Sequence, residues 1–234
     1  MSLTRQAWCG RRGVVAALAV LATTAVAQVP PSEDEQARYQ GLHAAAQRGD
    51  AARIAALLAA GADPNARDAN GRTPLHVATF ARQRDAIRVL AKGGAELGAL
   101  DDDRYDAVTI AAVADDEPTL ALLLALGASA KLTTSRYDGT ALIAAAHLGH
   151  DGVVRLLIKA GAPLDHVNNL HWTALIEAIV LGDGGRRHQA VVRDLLAAGA
   201  STALADRSGQ TPLALARGRG YREMVGMLEA AGAR

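Results

Sequence analysis

Residues 61–76 read Gly61-Ala62-Asp63-Pro64-Asn65-Ala66-Arg67-Asp68-Ala69-Asn70-Gly71-Arg72-Thr73-Pro74-Leu75-His76. Each part has a physical sense. Gly-Ala after an apolar run ends a helix, with glycine taking the left-handed conformation that closes the last turn. Asp-Ala-Asn-Gly supplies a tight turn. Thr-Pro then opens the next helix, because proline at the first helical position gives up an N–H that has no helical partner there. One helix end, one turn and one helix start fit into sixteen residues, so the helices on either side are short and closely connected.

The same punctuation recurs along the chain. Gly-Ala stands at Gly61, Gly94, Gly127, Gly161, Gly199 and Gly232, at intervals of 33, 33, 34, 38 and 33 residues. A marker position lies about 21 residues before each, at Gln40, Thr73, Asp106, Thr140, Thr173 and Thr211. Five residues after each marker comes alanine, at Ala45, Ala78, Ala111, Ala145, Ala178 and Ala216. A leucine precedes every glycine by four: Leu57, Leu90, Leu123, Leu157, Leu195 and Leu228. Self-similarity at this period marks a solenoid of stacked units, and the fixed alanine marks a place where helices approach too closely for a larger side chain. Asp68-Ala69-Asn70-Gly71 and Asp206-Arg207-Ser208-Gly209 supply the turns between units.

These residues resemble the ankyrin repeat, a unit of about 33 residues carrying Thr-Pro-Leu-His. The motif is intact at Thr73-Pro74-Leu75-His76, and Thr211-Pro212-Leu213-Ala214 and Gly149-His150 match other parts of the pattern. The resemblance implies an all-α solenoid of helix-turn-helix units with short hairpin-like turns, covering residues 40–234 in about six repeats. Repeat three departs most, with Asp106-Ala107-Val108-Thr109 at the motif, and repeat five carries a longer inter-helix segment from Gly182 to Arg187. That segment is expected to be a flexible insertion with exposed charge. Residues 168–185 are similar to a subset of exported bacterial members of the family. Solenoids need polar caps: Ser32-Glu33-Asp34-Glu35 reads as a capping box opening an N-terminal helix, and Glu229 gives the last helix a solvent-facing side.

The chain is half hydrophobic but only 3% aromatic, with 21% charged residues and a net charge of +1. That balance excludes a disordered chain and gives no basic excess to attract nucleic acid. Residues 1–27 differ from the rest. Their charges are Arg5, Arg11 and Arg12, followed by an apolar run from Gly13 to Ala27 that ends Ala25-Val26-Ala27. A positive start, a short apolar stretch and small residues at the end describe an export signal. The run is shorter than the roughly 20 apolar residues of a spanning helix, so cleavage after Ala27 is expected over retention as an anchor. Arg11-Arg12 lacks the flanking residues of a twin-arginine signal, and Sec export is expected. The mature chain would then hold 22 basic and 24 acidic side chains, a net −2, and no cysteine, since Cys9 leaves with the leader. The expected location is periplasmic or secreted, with residues 28–39 a linker and capping helix.

The residues offer little for catalysis. His43 and His76 share a repeat position where the family's histidine bonds the turn backbone. His147 and His150 are separated by Gly149 at an inter-helix turn, and no His-Glu-x-x-His zinc pattern exists. His166, His171 and His188 fall in loops without companions. Asp101-Asp102-Asp103 and Asp106 form an acidic fingertip without the alternation of a calcium loop. Gly182-Asp183-Gly184-Gly185 lacks the Gly-Lys-Ser/Thr ending of a phosphate loop, and no Gly-x-Ser-x-Gly nucleophile motif occurs. No cofactor or metal is expected. A surface is left.

The resemblance implies contact positions on a concave face at Arg72, Phe80, Tyr105, Val113, His147, Trp172 and Val180, with Leu148 and Leu181 beside two of them and Tyr137 in the adjoining turn. Large side chains there, in a chain poor in aromatics, are expected to anchor a protein partner. That partner would be an exported enzyme that the chain stabilises or inhibits, or a toxin that it neutralises; the residues do not separate these. A monomer that binds neither nucleic acid nor membrane once the leader is removed is expected. The competing readings are a metal- or ligand-dependent enzyme built on the scaffold, and an anchored scaffold if residues 13–27 are kept.

Overall fold

The computed structural model describes residues 28–234 of the 234-residue chain; the export signal expected over residues 1–27 lies outside them. A short helix, α1 (Glu33–Arg38), precedes six helix pairs: α2 (Gly41–Arg48) with α3 (Ala51–Ala59), α4 (Pro74–Phe80) with α5 (Arg84–Lys92), α6 (Ala107–Val113) with α7 (Glu117–Ala125), α8 (Ala141–Leu148) with α9 (Asp151–Lys159), α10 (Ala174–Val180) with α11 (Arg186–Ala197), and α12 (Pro212–Arg219) with α13 (Arg222–Ala230). First helices pack on first helices and second on second along the chain. One apolar core runs from Leu42 to Leu228.

The marker residues explain the pairs. Thr73, Thr140, Thr173 and Thr211 each accept a hydrogen bond from the backbone N–H three residues on, capping the first helix of the unit. Asp106 does the same in repeat three, 2.8 Å from the N–H of Thr109. The departure seen there exchanges one good capping residue for another. The six alanines five residues later are 0–1% exposed. The glycines at the unit ends have φ between 77° and 97°, the region that glycine enters without a Cβ penalty.

Short hairpins join the units. The main chain closes each with an N–H of the first arm bonded to a carbonyl of the second: Asp68 to Arg72, Asp101 to Tyr105, Asn168 to Trp172 and Asp206 to Gln210. The side chain of the first residue also accepts two N–H groups of its own turn, as Asp68 does from Asn70 and Arg72. In repeat four the hairpin forms a small antiparallel ladder of β1 (Thr133–Thr134) and β2 (Gly139–Thr140). His43 bonds the Arg72 carbonyl at 2.9 Å and His76 that of Ala99 at 2.9 Å, tying a helix to the next hairpin. Burial pushes His76 down to about 4.

The long segment of repeat five keeps its charges exposed, as expected of it, and is hydrogen-bonded at several points. Asp183 accepts the Gly185 N–H at 2.7 Å, His188 bridges Asp183 and the His147 carbonyl, and the Tyr221 hydroxyl donates to the Gly182 carbonyl at 2.8 Å. His188 lies inside α11 and has Asp183 as companion, against the loop position expected for it. Arg187 reaches back across two units, to Asp115 at 2.9 Å and Asp151 at 3.0 Å. Against the burial that works to raise it, bonds from Arg155 and Arg187 hold Asp151 below the usual carboxylate range.

Candidate protein-interaction face

The first helices and the hairpins together make one side of the solenoid, here the inner face. It divides into three stretches. Over repeats one and two it is occupied by the chain's own N-terminal segment. Ser32 caps α1 in a capping box with Glu35, and Gln47 donates to Gln36 at 3.0 Å. Arg72 donates to the Val29 carbonyl at 3.0 Å and pairs with Glu35 at 3.3 Å, its guanidinium 5.9 Å from the centre of the Phe80 ring. The Ser32 N–H and, more weakly, Arg72 hold Glu35 below the usual carboxylate range. Tyr39 closes the arrangement by donating to Asp68, and burial with that bond pushes its hydroxyl up to about 12. Arg72 is thus 7% exposed and spent internally, where an exposed contact was expected. A buried cation needs a carboxylate, and the N-terminal segment supplies one.

The second stretch is the pair of hairpin tips in repeats three and four. Tyr105 and Tyr137 are half-buried and line a cavity of about 80 Å³ with Asp103 and Arg136. Arg136 pairs with Asp103, and Arg104 with Asp138 at 3.6 Å. Asp101 is bound into its own hairpin and Asp106 is buried as a cap, so the acidic run does not act as one cluster. Val113 is half-buried below.

The third stretch, repeats four and five, is the most open. Leu148 and Leu181 are each 42% exposed at the ends of α8 and α10, and Val167 (42%) and Leu170 (38%) stand on the hairpin between. Trp172, Val180 and His147 are half-buried among them. Beneath lies a group that sequence reasoning missed. Glu177, 5% exposed, accepts the Asn168 side-chain amide at 2.9 Å and has its second oxygen 3.3 Å from His147 Nδ1. A signal for it stands in the sequence. Four residues after the marker the other repeats carry Ala44, Val77, Ile110, Ala144 and Leu215, and repeat five alone has a charge. Where repeats two, three and six have Asp68, Asp101 and Asp206 and repeat four has Ser135, repeat five has Asn168. Asparagine keeps the oxygen that accepts the turn N–H groups of Leu170 and Trp172 and adds the amide donor that reaches Glu177.

Chemically this face offers apolar side chains beside a satisfied polar network. His147 and His150 do not converge. Gly149 ends α8 in the left-handed conformation, and His150 is bonded to the Ala112 carbonyl at 2.9 Å. Among the described residues no group of three or more His, Cys, Asp or Glu side chains is arranged to hold a metal ion, and no helix is long and apolar enough to cross a membrane.

Stacked helix pairs joined by hairpins, with a side-chain-rich inner face, define a solenoid repeat protein. The comparisons narrow this. A family model for ankyrin repeats matches residues 24–101, 42–134 and 108–206. The chain is 37% identical to the ankyrin repeat protein YahD of Escherichia coli (strain K12), over 81% of this chain and 94% of that protein. A solved ankyrin repeat domain from Acinetobacter baumannii AYE is 45% identical, with a TM-score of 0.78 over 82% of this chain and 98% of that one. The ankyrin repeat domain of Bcl-3, a member of the IκB protein family, aligns at 28% identity and a TM-score of 0.76 over 84% of this chain and 88% of that one. The chain belongs to the ankyrin-repeat family. Ankyrin repeats are in general non-enzymatic modules of protein–protein interaction.

Proposed function

We propose that the chain is exported to the bacterial cell envelope and binds a protein partner there through its inner face, centred on repeats three to five. The observation that carries this is the distribution of exposed apolar side chains. Among the described residues the large exposed ones within the repeats are Leu148, Val167, Leu170 and Leu181, all in repeats four and five. Exposed apolar groups gathered in one place mark interaction surfaces. Tyr105 and Trp172 stand at expected contact positions, with Tyr137 in the adjoining turn. Export is supported by the arginines and apolar run of residues 5–27. The partner is an enzyme that the chain protects or inhibits, or a toxin that it neutralises.

The test is a cross-linked pull-down from the native envelope with the tagged mature chain, repeated with Tyr105→Ala combined with Trp172→Ala. One dominant protein, lost with the double variant, is the expected result. Capture that survives the double variant would move the site elsewhere on the solenoid. Intact-mass measurement of the exported protein tests cleavage after Ala27.

A further inference from the structure

Three buried carboxylates are present among the described residues: Asp106, Asp116 and Glu177. Two are spent on helix starts. Asp106 caps α6 and takes the Thr109 hydroxyl. Asp116 caps α7 and has Arg82 at 3.7 Å. Glu177 caps nothing. It sits within α10, and among the described residues no lysine or arginine lies within ion-pair distance of it; its neighbours are the neutral Asn168 amide and His147, which carries charge only when protonated. A buried carboxylate is costly to keep without a cation. Here it has been installed by two matched changes, Asn168 and Glu177, that the other repeats lack.

Its surroundings indicate what completes it. Val180 at the end of α10 and the capping residue Leu181, three and four residues after Glu177, lie on the same side as Glu177. Leu148 adjoins His147 at the end of α8, and Trp172 precedes α10. The buried carboxylate therefore lies beneath a part-exposed imidazole, with apolar residues at the adjoining positions of α8 and α10. A long apolar stem ending in a cation matches that profile: the stem covers the leucines and the head reaches the carboxylate in a charge-assisted hydrogen bond.

We infer that repeats four and five recognise a lysine or arginine side chain of the partner, whose cationic head displaces the His147 imidazole from Glu177 while its methylene stem packs against Leu148 and Leu181. This deepens the reading of the inner face as an interaction surface and rests on it. The positive charge comes from the partner, His147 holds the site closed in its absence, and Asn168 positions the carboxylate.

The test titrates the mature chain at pH 8 with N-acetyl-lysine N-methylamide and with its uncharged norleucine counterpart, following the Trp172 indole and His147 imidazole signals by NMR. The lysine compound should bind saturably and at least about 10-fold more tightly than the norleucine compound. Glu177→Gln keeps the shape and should remove that preference. His147→Ala, which leaves the Asn168–Glu177 bond in place, should tighten lysine binding by opening the carboxylate; a purely structural network would give no gain. Equal binding of both compounds, no binding of either, a preference that survives Glu177→Gln, or weaker binding in His147→Ala would each overturn the inference. An empty pull-down alongside specific lysine binding would instead refute the protein partner while leaving the cation site standing.

Discussion

Replacing Ala145 with leucine tests the repeat register at its tightest point. Ala145 is 0% exposed in α8, which packs on α6, α9 and α10 at once. The same slot is filled by alanine in all six units, each 0–1% exposed. Three added carbon atoms have no space to enter, so two neighbouring helices must shift or the side chain must leave its rotamer. Overpacking of this kind costs about 1–3 kcal/mol. In a folded part of this size that lowers the thermal midpoint by about 2–12 °C. The assay is urea and thermal unfolding followed by circular dichroism, with Ala125→Leu as control. Ala125 is exposed on the second-helix layer, and its substitution should stay within about 0.5 kcal/mol of the parent. Ala216→Leu, in the last unit, overpacks against one neighbouring repeat instead of two and should cost less than Ala145→Leu. An unchanged midpoint for Ala145→Leu would refute the close approach of the first helices.

Other perturbations follow from single contacts. Burial pushes the His76 pKa down to about 4, whereas the unfolded chain takes up that proton near pH 6.5; this contribution to stability is full above pH 6.5 and is lost as pH falls toward 4. His76→Gln, though less stable at neutral pH, should show a shallower loss between pH 6.5 and 4 in urea midpoints. Gly149→Ala should cost about 1–2 kcal/mol, since φ is 71° and the new Cβ would stand 2.9 Å from His188. Gly127→Ala, with open space around it, should cost less by the same unfolding assay. The Arg187–Asp115 pair is part-exposed, so a double-mutant cycle should return a coupling of no more than about 1 kcal/mol that shrinks with added salt.

The period of the solenoid was legible because each marker acts locally. A capping threonine, a left-handed glycine and a close-packed alanine each impose their geometry within a few residues, so the helix pairs follow from Thr73, Gly94 and Ala78 as written. Asp106 shows the limit of pattern matching and the value of mechanism, since it breaks the motif and keeps the cap. Contacts made at long range were not legible. Nothing near Arg72 announces that Val29 and Glu35 fold back over it. The order of residues 182–188 likewise depends on Tyr221, 39 positions after Gly182. Glu177 was within reach, because a charge in a column of apolar residues is a local anomaly. Its column is not among the contact positions that the family resemblance implies, so the charge marks the site only when the repeats are compared column by column.

The reach of Arg187 has a consequence for how the molecule opens. It ties residues 72 apart in sequence, joining the third and fifth units as well as the fourth through Asp151. A stack held by adjacent interfaces alone frays one unit at a time from its ends. Here a part-exposed pair passes over the fourth unit, so a small coupling of units three and five is added to the adjacent interfaces. Glu177 and His147, in units five and four, lie within the span that Arg187 bridges. Removing Arg187 should speed amide exchange in α6, α8 and α10 by no more than about fivefold, an effect that shrinks with added salt.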